Sequence, residues 1–407
     1  MELEQAQWLI RAGRSLLENM HEQAGQRLST SQSNLLREQA DLRRRASIRF
    51  PDPQKWLWTT RSLAQASDWW CASFKASLYP AEVHVTDGCC GAGVDLVALA
   101  KRGPATGIDR DPALVALANA NLAAHDLPLS AIAGDLPQDL SNCFNRDAGW
   151  LHLDPDRRAT NSMDRRLRKS EDFSPSLSES LDMMRNASGA ILKLAPATVI
   201  EPQIETSLQN ELGLTRCWLG NLGECRQQLL VTGELVRGDS AIGGPSVNSQ
   251  VNFRAAVLCE PQANANSNNA EVICGPFQET CAGVYEPGRY IYDCHPVLHA
   301  AQLQMTWADA NGAQPLGTSQ GYFTSDLAVE SAWAQRFEVV EVLPWDQRRV
   351  RRWLRENQIG EVEVKKRLLQ LDANEHQRAL RGAGEAKITL LITRLGERVR
   401  AIVARRA

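Results

Sequence analysis

The stretch Val85-Thr86-Asp87-Gly88-Cys89-Cys90-Gly91-Ala92-Gly93-Val94-Asp95 decides the fold, because it places a strand, an acid, a glycine turn and a helix in succession. Residues 82–87 predict a short strand, and the residues from Asp95 onward predict a helix. In an open parallel sheet, ligands bind beyond the carboxyl ends of the strands, so this turn is a candidate binding site. Gly91 and Gly93 would let the backbone approach a ligand closely.

Strand and helix patterns alternate along the chain after this turn. Strands are predicted at 105–109, 129–133, 150–154 and 190–194, and helices at 95–101 and 112–124. This alternation predicts an α/β fold with a doubly wound, Rossmann-like parallel sheet. Residues 1–80 are predicted to form a helical region, because their apolar residues recur at helical spacing.

The chain is predicted to divide into four parts. Residues 1–80 form the helical region and residues 81–260 the Rossmann-like domain. Residues 261–335 begin with a polar, asparagine-rich stretch and show few periodic runs, so we expect a linker and an irregular connecting segment there. Residues 336–407 show clear strand and helix patterns again and predict a small α+β domain.

The composition is that of an ordinary globular protein, with 43% hydrophobic and 23% charged residues. No apolar run is long enough to span a membrane, and the acidic N-terminus is unlike a secretory signal. The ten cysteines include no C-x-x-C pair. We therefore expect reduced cysteines, a cytoplasmic location and no bound metal.

Charge is distributed unevenly along the chain. Residues 346–406 contain 16 Lys or Arg and 8 Asp or Glu, although the whole chain has a net charge of −3. A basic block on an acidic body is the asymmetry expected of a module that binds a polyanion. The alternative is a solvated face of two helices.

The acids beside the glycine turn indicate which ligand it suits. A dinucleotide fingerprint would require a third glycine at position 96, which is Leu96. Asp87 and Asp95 flank the turn and would repel phosphates, so the turn is better suited to a cationic ligand. S-adenosylmethionine is such a ligand, since it carries a sulfonium and an ammonium group.

Further acids follow the later strands, where such a cofactor needs them. Asp109 ends the second strand and could accept hydrogen bonds from both ribose hydroxyls. Asp135 follows the third strand and could accept one from the adenine amino group. One such acid alone is more often a helix cap or a surface residue, but these two are expected to converge with Asp87 and Asp154 on one cleft.

These residues resemble the motifs of the class I S-adenosylmethionine-dependent methyltransferases over residues 80–200. The likeness rests on Asp87-x3-Gly91-x-Gly93, Gly107-Ile108-Asp109, Asn121, Gly134-Asp135 and Asp154-Pro155. It implies S-adenosyl-L-methionine as the cofactor and methyl transfer as the reaction. The implied cofactor-binding residues are Asp87, Cys89, Gly91, Gly93, Asp95, Asp109, Asp135 and Asp154, although the family usually has glycine where Cys89 stands.

The predicted catalytic set is the tetrad Asp154-Pro155-Asp156-Arg157, at the end of the fourth strand. Many methyltransferases that act on nitrogen atoms of nucleic acids carry Asp/Asn-Pro-Pro-aromatic there, but here the second proline and the aromatic residue are absent. We predict that Asp154 orients the nucleophile or accepts its proton. Arg157 and Arg158 would position an anionic substrate, or form surface ion pairs instead. His152 is interpreted as a packed histidine.

A wider resemblance, over residues 40–407, links the chain to a bacterial methyltransferase family with a C-terminal THUMP-like domain. It rests on Ala46-Ser47-Ile48-Arg49-Phe50, Leu63-Ala64-Gln65-Ala66-Ser67, Leu192-Lys193-Leu194-Ala195-Pro196, Gly223-Glu224-Cys225-Arg226-Gln227, Val364-Lys365-Lys366-Arg367 and Leu391-Ile392-Thr393-Arg394. The resemblance implies that the C-terminal domain binds RNA, such as rRNA or tRNA. The predicted phosphate contacts are Lys365, Lys366 and Arg367, together with Arg348, Arg349, Arg351 and Arg352 of the preceding helix.

Three functions are compatible with the sequence. The first is an RNA methyltransferase that works by in-line displacement. The second is a methyltransferase for a small molecule or a protein, whose C-terminal domain is only structural. The third is a non-catalytic protein that binds cofactor or RNA, which the altered tetrad at 154–157 keeps open.

Overall fold

The computed structural model describes residues 1–13, 28–142, 149–157, 173–243, 253–259 and 270–407. The chain forms two compact units. The first contains Met1–Phe253 and Val257–Val272, and the second contains Arg254–Ala256 and Ile273–Ala407. None of the helices in the described ranges is long and apolar enough to cross a membrane.

The first unit begins with helices. They are α1 (Leu3–Trp8), α2 (Thr30–Ala46), α3 (Thr60–Gln65) and α4 (Trp69–Leu78). Between α2 and α3, the buried rings of Trp56 and Trp58 stack with their centroids 5.3 Å apart. The neighbouring Leu57 N–H donates to Asn121 Oδ1 at 2.8 Å, which ties this segment to the α/β part of the same unit.

The core of the first unit is a mostly parallel sheet. Its strands are β1 (Val85–Gly88), β2 (Ala105–Asp109), β3 (Ala131–Ala133) and β4 (Trp150–Leu153), followed, after the small pair β5 (Asp156–Arg157) and β6 (Phe173–Ser174), by β7 (Gly189–Leu194), β8 (Leu214–Asn221) and β9 (Glu224–Gly233). They lie in the order β3-β2-β1-β4-β7-β9-β8. Strands β1 to β4 and β7 pair in parallel, and β9 is antiparallel to β7 and β8. The strand order therefore reverses between β1 and β4, which is the switch point where such a sheet binds ligands.

Helices connect the strands of this sheet. They are α5 (Val94–Ala100), α6 (Pro112–Ala124), α7 (Leu177–Arg185) and α8 (Pro202–Leu212). Ile108, Leu151 and Ile191 are fully buried, which is why the parallel strands read as apolar runs in the sequence. The predicted α/β class is confirmed. The third strand is shorter than predicted, because it begins at Ala131 and leaves Leu129 exposed.

After β9, the strands β10 (Phe253–Cys259) and β11 (Ala270–Pro276) extend the first sheet beyond β8, in the order β8-β10-β11. The second unit is built on a separate, seven-stranded sheet. Its elements are β12 (Tyr290–Cys294), α9 (Pro296–Ala301), α10 (Gln304–Asn311), β13 (Gln314–Leu316), β14 (Tyr322–Ser325), β15 (Ala334–Pro344), α11 (Gln347–Glu356), β16 (Ile359–Lys366), α12 (Ala373–Leu380), β17 (Ala386–Leu395) and β18 (Arg398–Arg406). The strand order is β13-β14-β12-β15-β18-β17-β16.

The structure differs from the predicted linker and irregular segment at residues 261–335. Three strands and two helices occupy 290–325, and β12 pairs with β15 from Tyr290 opposite Glu338 to Cys294 opposite Ala334. The boundary of the second unit therefore lies near residue 273 rather than 336. These strands have only three to five residues, too few for a clear periodic pattern, and β12 pairs with strands that are distant in sequence. Residues 261–269 lie outside the described ranges.

Candidate functional site

A cleft of about 840 Å³ opens in the first unit at the carboxyl ends of its parallel strands. The turn after β1 forms one wall, from Cys89 to Ala92 together with Asp95. The acids that follow later strands also line it. They are Asp109, Asp135, Asp154 and Asp156. The cleft thus lies at the switch point that the topology predicts.

The glycine turn adopts left-handed backbone conformations. Gly91 and Gly93 have φ values of +57° and +82°. A Cβ on Gly93 would lie 3.0 Å from Ala118 Cβ, whereas a Cβ on Gly91 would meet nothing within 4 Å. Gly93 therefore allows helix packing, and Gly91 leaves open space in the cleft wall.

Cys89 also has a positive φ, of +62°. This conformation favours glycine, which explains why glycine is usual at this position in the family that the motifs resemble. Burial, and after it Asp109, raises the pKa of the Cys89 thiol. The thiol is therefore protonated and is not a nucleophile.

Asp109 joins the glycine turn to the end of β2. Its Oδ2 accepts a hydrogen bond from the Gly91 N–H at 2.8 Å, and its Oδ1 accepts one from the Asp111 N–H at 2.9 Å. Burial raises the pKa of Asp109, and these two backbone hydrogen bonds oppose the shift. Each oxygen keeps acceptor capacity, so the carboxylate can accept two hydroxyl groups of a ligand.

Asp135 lies on the same side of the cleft, after β3. Its side chain is exposed, and its N–H donates to Asp139 Oδ2 at 2.7 Å. The preceding Gly134 N–H donates to the Asp109 carbonyl oxygen at 3.1 Å. The ends of β2 and β3 are therefore held side by side, and both present a carboxylate to the cleft.

Asp87 does not join these acids. It is fully buried, and its Oδ1 lies 2.6 Å from His152 Nδ1 on the neighbouring strand β4. Burial raises the pKa of Asp87, and His152 opposes the shift. Asp109, Asp135 and Asp154 line the cleft, but the fourth expected acid, Asp87, does not. Its buried side chain contacts His152, the residue opposite it on the neighbouring strand. His152 is packed as predicted, and its ring nitrogen Nδ1 is within hydrogen-bond distance of the Asp87 carboxyl group.

Asp95 lines the cleft but is paired with a buried lysine. Lys75 Nζ on α4 lies 2.8 Å from Asp95 Oδ1, and the Ser67 hydroxyl donates to Asp95 Oδ2 at 3.0 Å. Burial favours the neutral carboxyl, but Lys75, with His152 and Lys193, outweighs it and holds the pKa of Asp95 well below its ordinary range. Asp95 is therefore charge-compensated, and it repels an anion less than the sequence indicates.

Asp154 follows β4 at the floor of the cleft. Its N–H donates to the Gly88 carbonyl oxygen at 3.1 Å, and its Oδ2 lies 2.5 Å from Lys193 Nζ on β7. Lys193 also donates to the Gln65 carbonyl oxygen at 3.3 Å. The sequence reasoning assigned no role to Lys193, although one lysine inside the apolar run of β7 was the signal for it.

The rest of the predicted tetrad is arranged differently. Pro155 lines the cleft, but the Asp156 carboxylate contacts Arg61 at 2.5 Å and accepts from Gln65 Nε2 at 3.0 Å. Asp156 therefore lines the cleft while it contacts the N-terminal region and, at 3.6 Å, Arg110. Arg157 pairs through its backbone with Phe173, while its side chain and all of Arg158 lie outside what the structure describes.

The N-terminal region forms a further wall of the cleft, from Thr59 to Asp68, which the site prediction did not include. Arg49 Nη1 donates to the Leu63 carbonyl oxygen at 2.8 Å and supports this wall. Arg226 and Gln227 of β9 also line the cleft, and Arg226 Nε lies 4.0 Å from Asp68 Oδ2 of this wall. The sequence did contain a signal that these residues belong to the site. It lay in the resemblance motifs at 46–50, 63–67 and 223–227, each of which contributes residues to the cleft or to its support.

In the second unit, two of the three RNA contacts predicted at residues 365–367 are engaged inside the fold. Lys365 Nζ lies 2.9 Å from Asp293 Oδ2, and Arg367 Nη2 lies 2.8 Å from Asp293 Oδ1. Burial disfavours the charge on Asp293, but Arg367 and Lys365 outweigh it and lower the pKa of Asp293. Lys366 is exposed, and its Nζ donates to the Leu369 carbonyl oxygen at 3.2 Å. Of the predicted arginines of α11, Arg348 and Arg351 line a cavity of the second unit and remain candidates for phosphate contacts, whereas Arg349 and Arg352 do not line it.

Comparisons with known proteins agree with this architecture. Residues 334–406 match the family model described as THUMP domain-like. The chain is 27% identical over 362 residues to an uncharacterized S-adenosylmethionine-dependent methyltransferase found in two strains of Mycobacterium tuberculosis. That alignment covers 87% of this chain and 91% of the relative.

A solved structure shows the same fold over the whole chain. It is the crystal structure of a candidate methyltransferase from Porphyromonas gingivalis W83, with a TM-score of 0.73 and 17% sequence identity. The match covers 100% of this chain and 98% of that chain. At this identity, the likeness establishes the fold alone.

Proposed function

We propose that this chain, a homologue of S-adenosylmethionine-dependent methyltransferases with a THUMP-like region at its C-terminus, transfers a methyl group from S-adenosylmethionine to RNA. The observation that carries the proposal is the cleft at the switch point. There a left-handed glycine turn, the Asp109 carboxylate and Asp154 are brought together.

The residues of the cleft fit the cofactor. Nothing lies within 4 Å of a Cβ placed on Gly91, so the wall leaves room for a ligand against the backbone. Asp109 would accept the two ribose hydroxyls, because its oxygens are fixed by backbone donors and keep free lone pairs. Asp135 would accept the adenine amino group. S-adenosylmethionine supplies an electrophilic methyl group on a sulfonium sulfur.

Asp154 and Lys193 are the proposed reacting-end residues. In an in-line displacement, the bond from the nucleophile to the methyl carbon forms while the sulfur–carbon bond breaks, and the nucleophile releases a proton. Asp154 is placed to orient the nucleophile and to accept that proton. Lys193, at 2.5 Å, fixes the orientation of the carboxylate, so it is a positioning residue.

RNA is the proposed substrate because of the second unit. The region matching the THUMP-like family model carries the excess of Lys and Arg found at residues 346–406. A basic module in the same chain as a methyltransferase cleft suits a substrate with a phosphate backbone. A small molecule or a protein is the alternative substrate, in which case the second unit would be structural.

The proposal is tested by methyl transfer from a radiolabelled donor to total bacterial RNA. The wild-type protein should label RNA, and Asp154→Asn should lose nearly all of this activity. Calorimetric titration with S-adenosylhomocysteine should give affinities for the two proteins that agree within a few-fold. Loss of cofactor affinity in Asp154→Asn would contradict the assigned role.

The substrate class is decided in the same experiment. Protein and small-molecule fractions of the same lysate are incubated in parallel with the RNA fraction. Label in the RNA fraction alone supports the proposal, and label in either of the other fractions contradicts it. The absence of label everywhere, with S-adenosylhomocysteine still bound, would indicate a non-catalytic protein.

A further inference from the structure

The second unit contains a cavity of about 1090 Å³ that the site described above does not use. It lies between α11 and the segment Ala379–Ala386, which joins α12 to β17. Its rim carries four arginines and one acid. They are Arg348, Arg351, Arg355, Arg381 and Glu385. We call this cavity the arginine groove.

Three of these arginines share one face of α11. Arg348, Arg351 and Arg355 follow the i, i+3, i+7 spacing, and this face extends over about 10 Å of helix. All three are exposed. Arg351 Nη2 donates to the Ala379 carbonyl oxygen at 3.1 Å, so it also holds the opposite wall in position. The result is a row of guanidinium groups beside a concave surface.

The opposite wall is fixed by glycines. The Gly382 N–H donates to the Gly360 carbonyl oxygen at 3.0 Å. A Cβ on Gly384 would lie 1.9 Å from the Gln358 carbonyl oxygen, so the loop contacts the start of β16 more closely than any other residue would allow. Leu354 and Leu380 are buried beneath it. The groove is thus formed before any ligand binds.

We propose that the arginine groove binds the sugar-phosphate backbone of a single-stranded segment of the substrate RNA. This inference rests on the proposed function, and it specifies where and how the RNA is held. Guanidinium groups match phosphate geometry better than other cations do. A row of arginines along a concave groove follows one strand, whereas a duplex is recognised across its wide, shallow minor groove.

The composition of the groove also predicts its selectivity. Its lining residues, all within the described range 270–407, include no aromatic side chain on which a base could stack. Binding should therefore depend on phosphates, with strong salt dependence and little preference for base sequence. The groove replaces Lys365 and Arg367, which bind Asp293, as the main phosphate-binding surface.

The test compares two double variants of the full chain that remove equal charge from α11. Arg348→Ala/Arg355→Ala removes two of the arginines that line the groove. Arg349→Ala/Arg352→Ala removes two exposed arginines of the same helix that do not line it. Fluorescence anisotropy with a fluorescein-labelled oligouridine is measured over a range of salt concentrations. The logarithm of the binding constant decreases as the logarithm of the salt concentration rises. For the groove variant, the magnitude of this slope should be smaller by about 1.4, which is about 0.7 for each lost phosphate contact. The control variant should keep the wild-type slope.

Three results would overturn the groove assignment. They are equal slopes for all three proteins, equal losses in both variants, and stronger wild-type binding to anionic lipid vesicles or to duplex RNA than to oligouridine. S-adenosylhomocysteine affinity is measured on the same proteins and should not change. If the wild type methylates RNA but the groove variant keeps its slope, the groove assignment fails and the proposed function stands. If no RNA is methylated or bound, the proposed function fails too.

Discussion

Asp109 is the residue on which cofactor binding should depend most. Two backbone N–H groups fix its carboxylate, and one of them belongs to Gly91 of the glycine turn. The sequence placed this acid at the end of β2, and the structure brings it to the cleft. The location of such an acid is predictable from the sequence, because the carboxyl ends of parallel strands all lie at the same edge of the sheet.

Asp109→Asn should weaken S-adenosylhomocysteine binding by about thirtyfold, or about 2 kcal/mol, because hydrogen bonds to a charged acceptor are lost. Isothermal titration calorimetry measures the change. Asp182→Asn, which alters an exposed acid of α7 paired with Arg185, is the matched control and should bind like the wild type. Equal affinity of Asp109→Asn and the wild type would remove Asp109 from the site.

Lys193 should affect turnover rather than cofactor affinity. Lys193→Met frees the Asp154 carboxylate from its 2.5 Å contact, so we expect methyl transfer to fall by about ten- to a hundredfold. Lys101→Met, at the far end of α5, is the control for loss of a lysine. A variant with normal kcat, or one whose only defect is cofactor binding, would contradict the positioning role.

At the scale of elements, the glycine turn between β1 and α5 should show two separable effects. Gly93→Ala should destabilise the protein by about 2 kcal/mol, because it combines a left-handed φ with a contact to Ala118. Gly91→Ala should destabilise it by about 1 kcal/mol only, but its methyl group would enter the cleft and weaken S-adenosylhomocysteine binding. Urea unfolding and calorimetry measure the two quantities. The opposite pattern would show that the roles of the two glycines are exchanged.

The contact between α4 and α5 is predicted to make stability depend on pH. Lys75→Met leaves the buried Asp95 charge without its partner, which should cost about 3–5 kcal/mol at neutral pH. In the wild type, Lys75 lowers the pKa of Asp95, so this stabilisation is present above the ordinary carboxyl pKa and is lost only as the pH falls through the lowered value.

Without Lys75, burial should raise the pKa of Asp95, so the carboxyl becomes protonated on mild acidification. The difference in free energy of unfolding between wild type and Lys75→Met should therefore shrink as the pH is lowered from neutral toward the ordinary carboxyl pKa. Urea unfolding over this pH range measures it. Lys75→Met/Asp95→Asn should be more stable than Lys75→Met. A difference that does not change with pH would contradict the account.

Elements of the two units differed in how well the sequence predicted them. The parallel strands of the first unit are buried on both faces, so each reads as an apolar run with a clear end. Strands β12 and β14 are short, and β12 pairs with strands distant in sequence, with Tyr290 opposite Ser325 on one side and Glu338 on the other. Lys75 and Lys193 were missed for a related reason, since their acidic partners lie on other elements.

At the scale of the whole molecule, the chain combines a cleft built on one sheet with a basic second unit built on another. Its second unit begins near residue 273, and β15 pairs with β12 inside it. Removing residues 336–407 would therefore take strands out of a continuous sheet. Point variants on α11 are the better test of RNA binding, because they leave that sheet intact.

The most direct test of the account is a crystal structure of the protein with S-adenosylhomocysteine. We predict that the ligand lies in the cleft of the first unit, with its ribose hydroxyls on the Asp109 carboxylate, its adenine beside Asp135 and its sulfur directed toward Asp154. A ligand bound elsewhere, or a ribose that does not contact Asp109, would contradict the account.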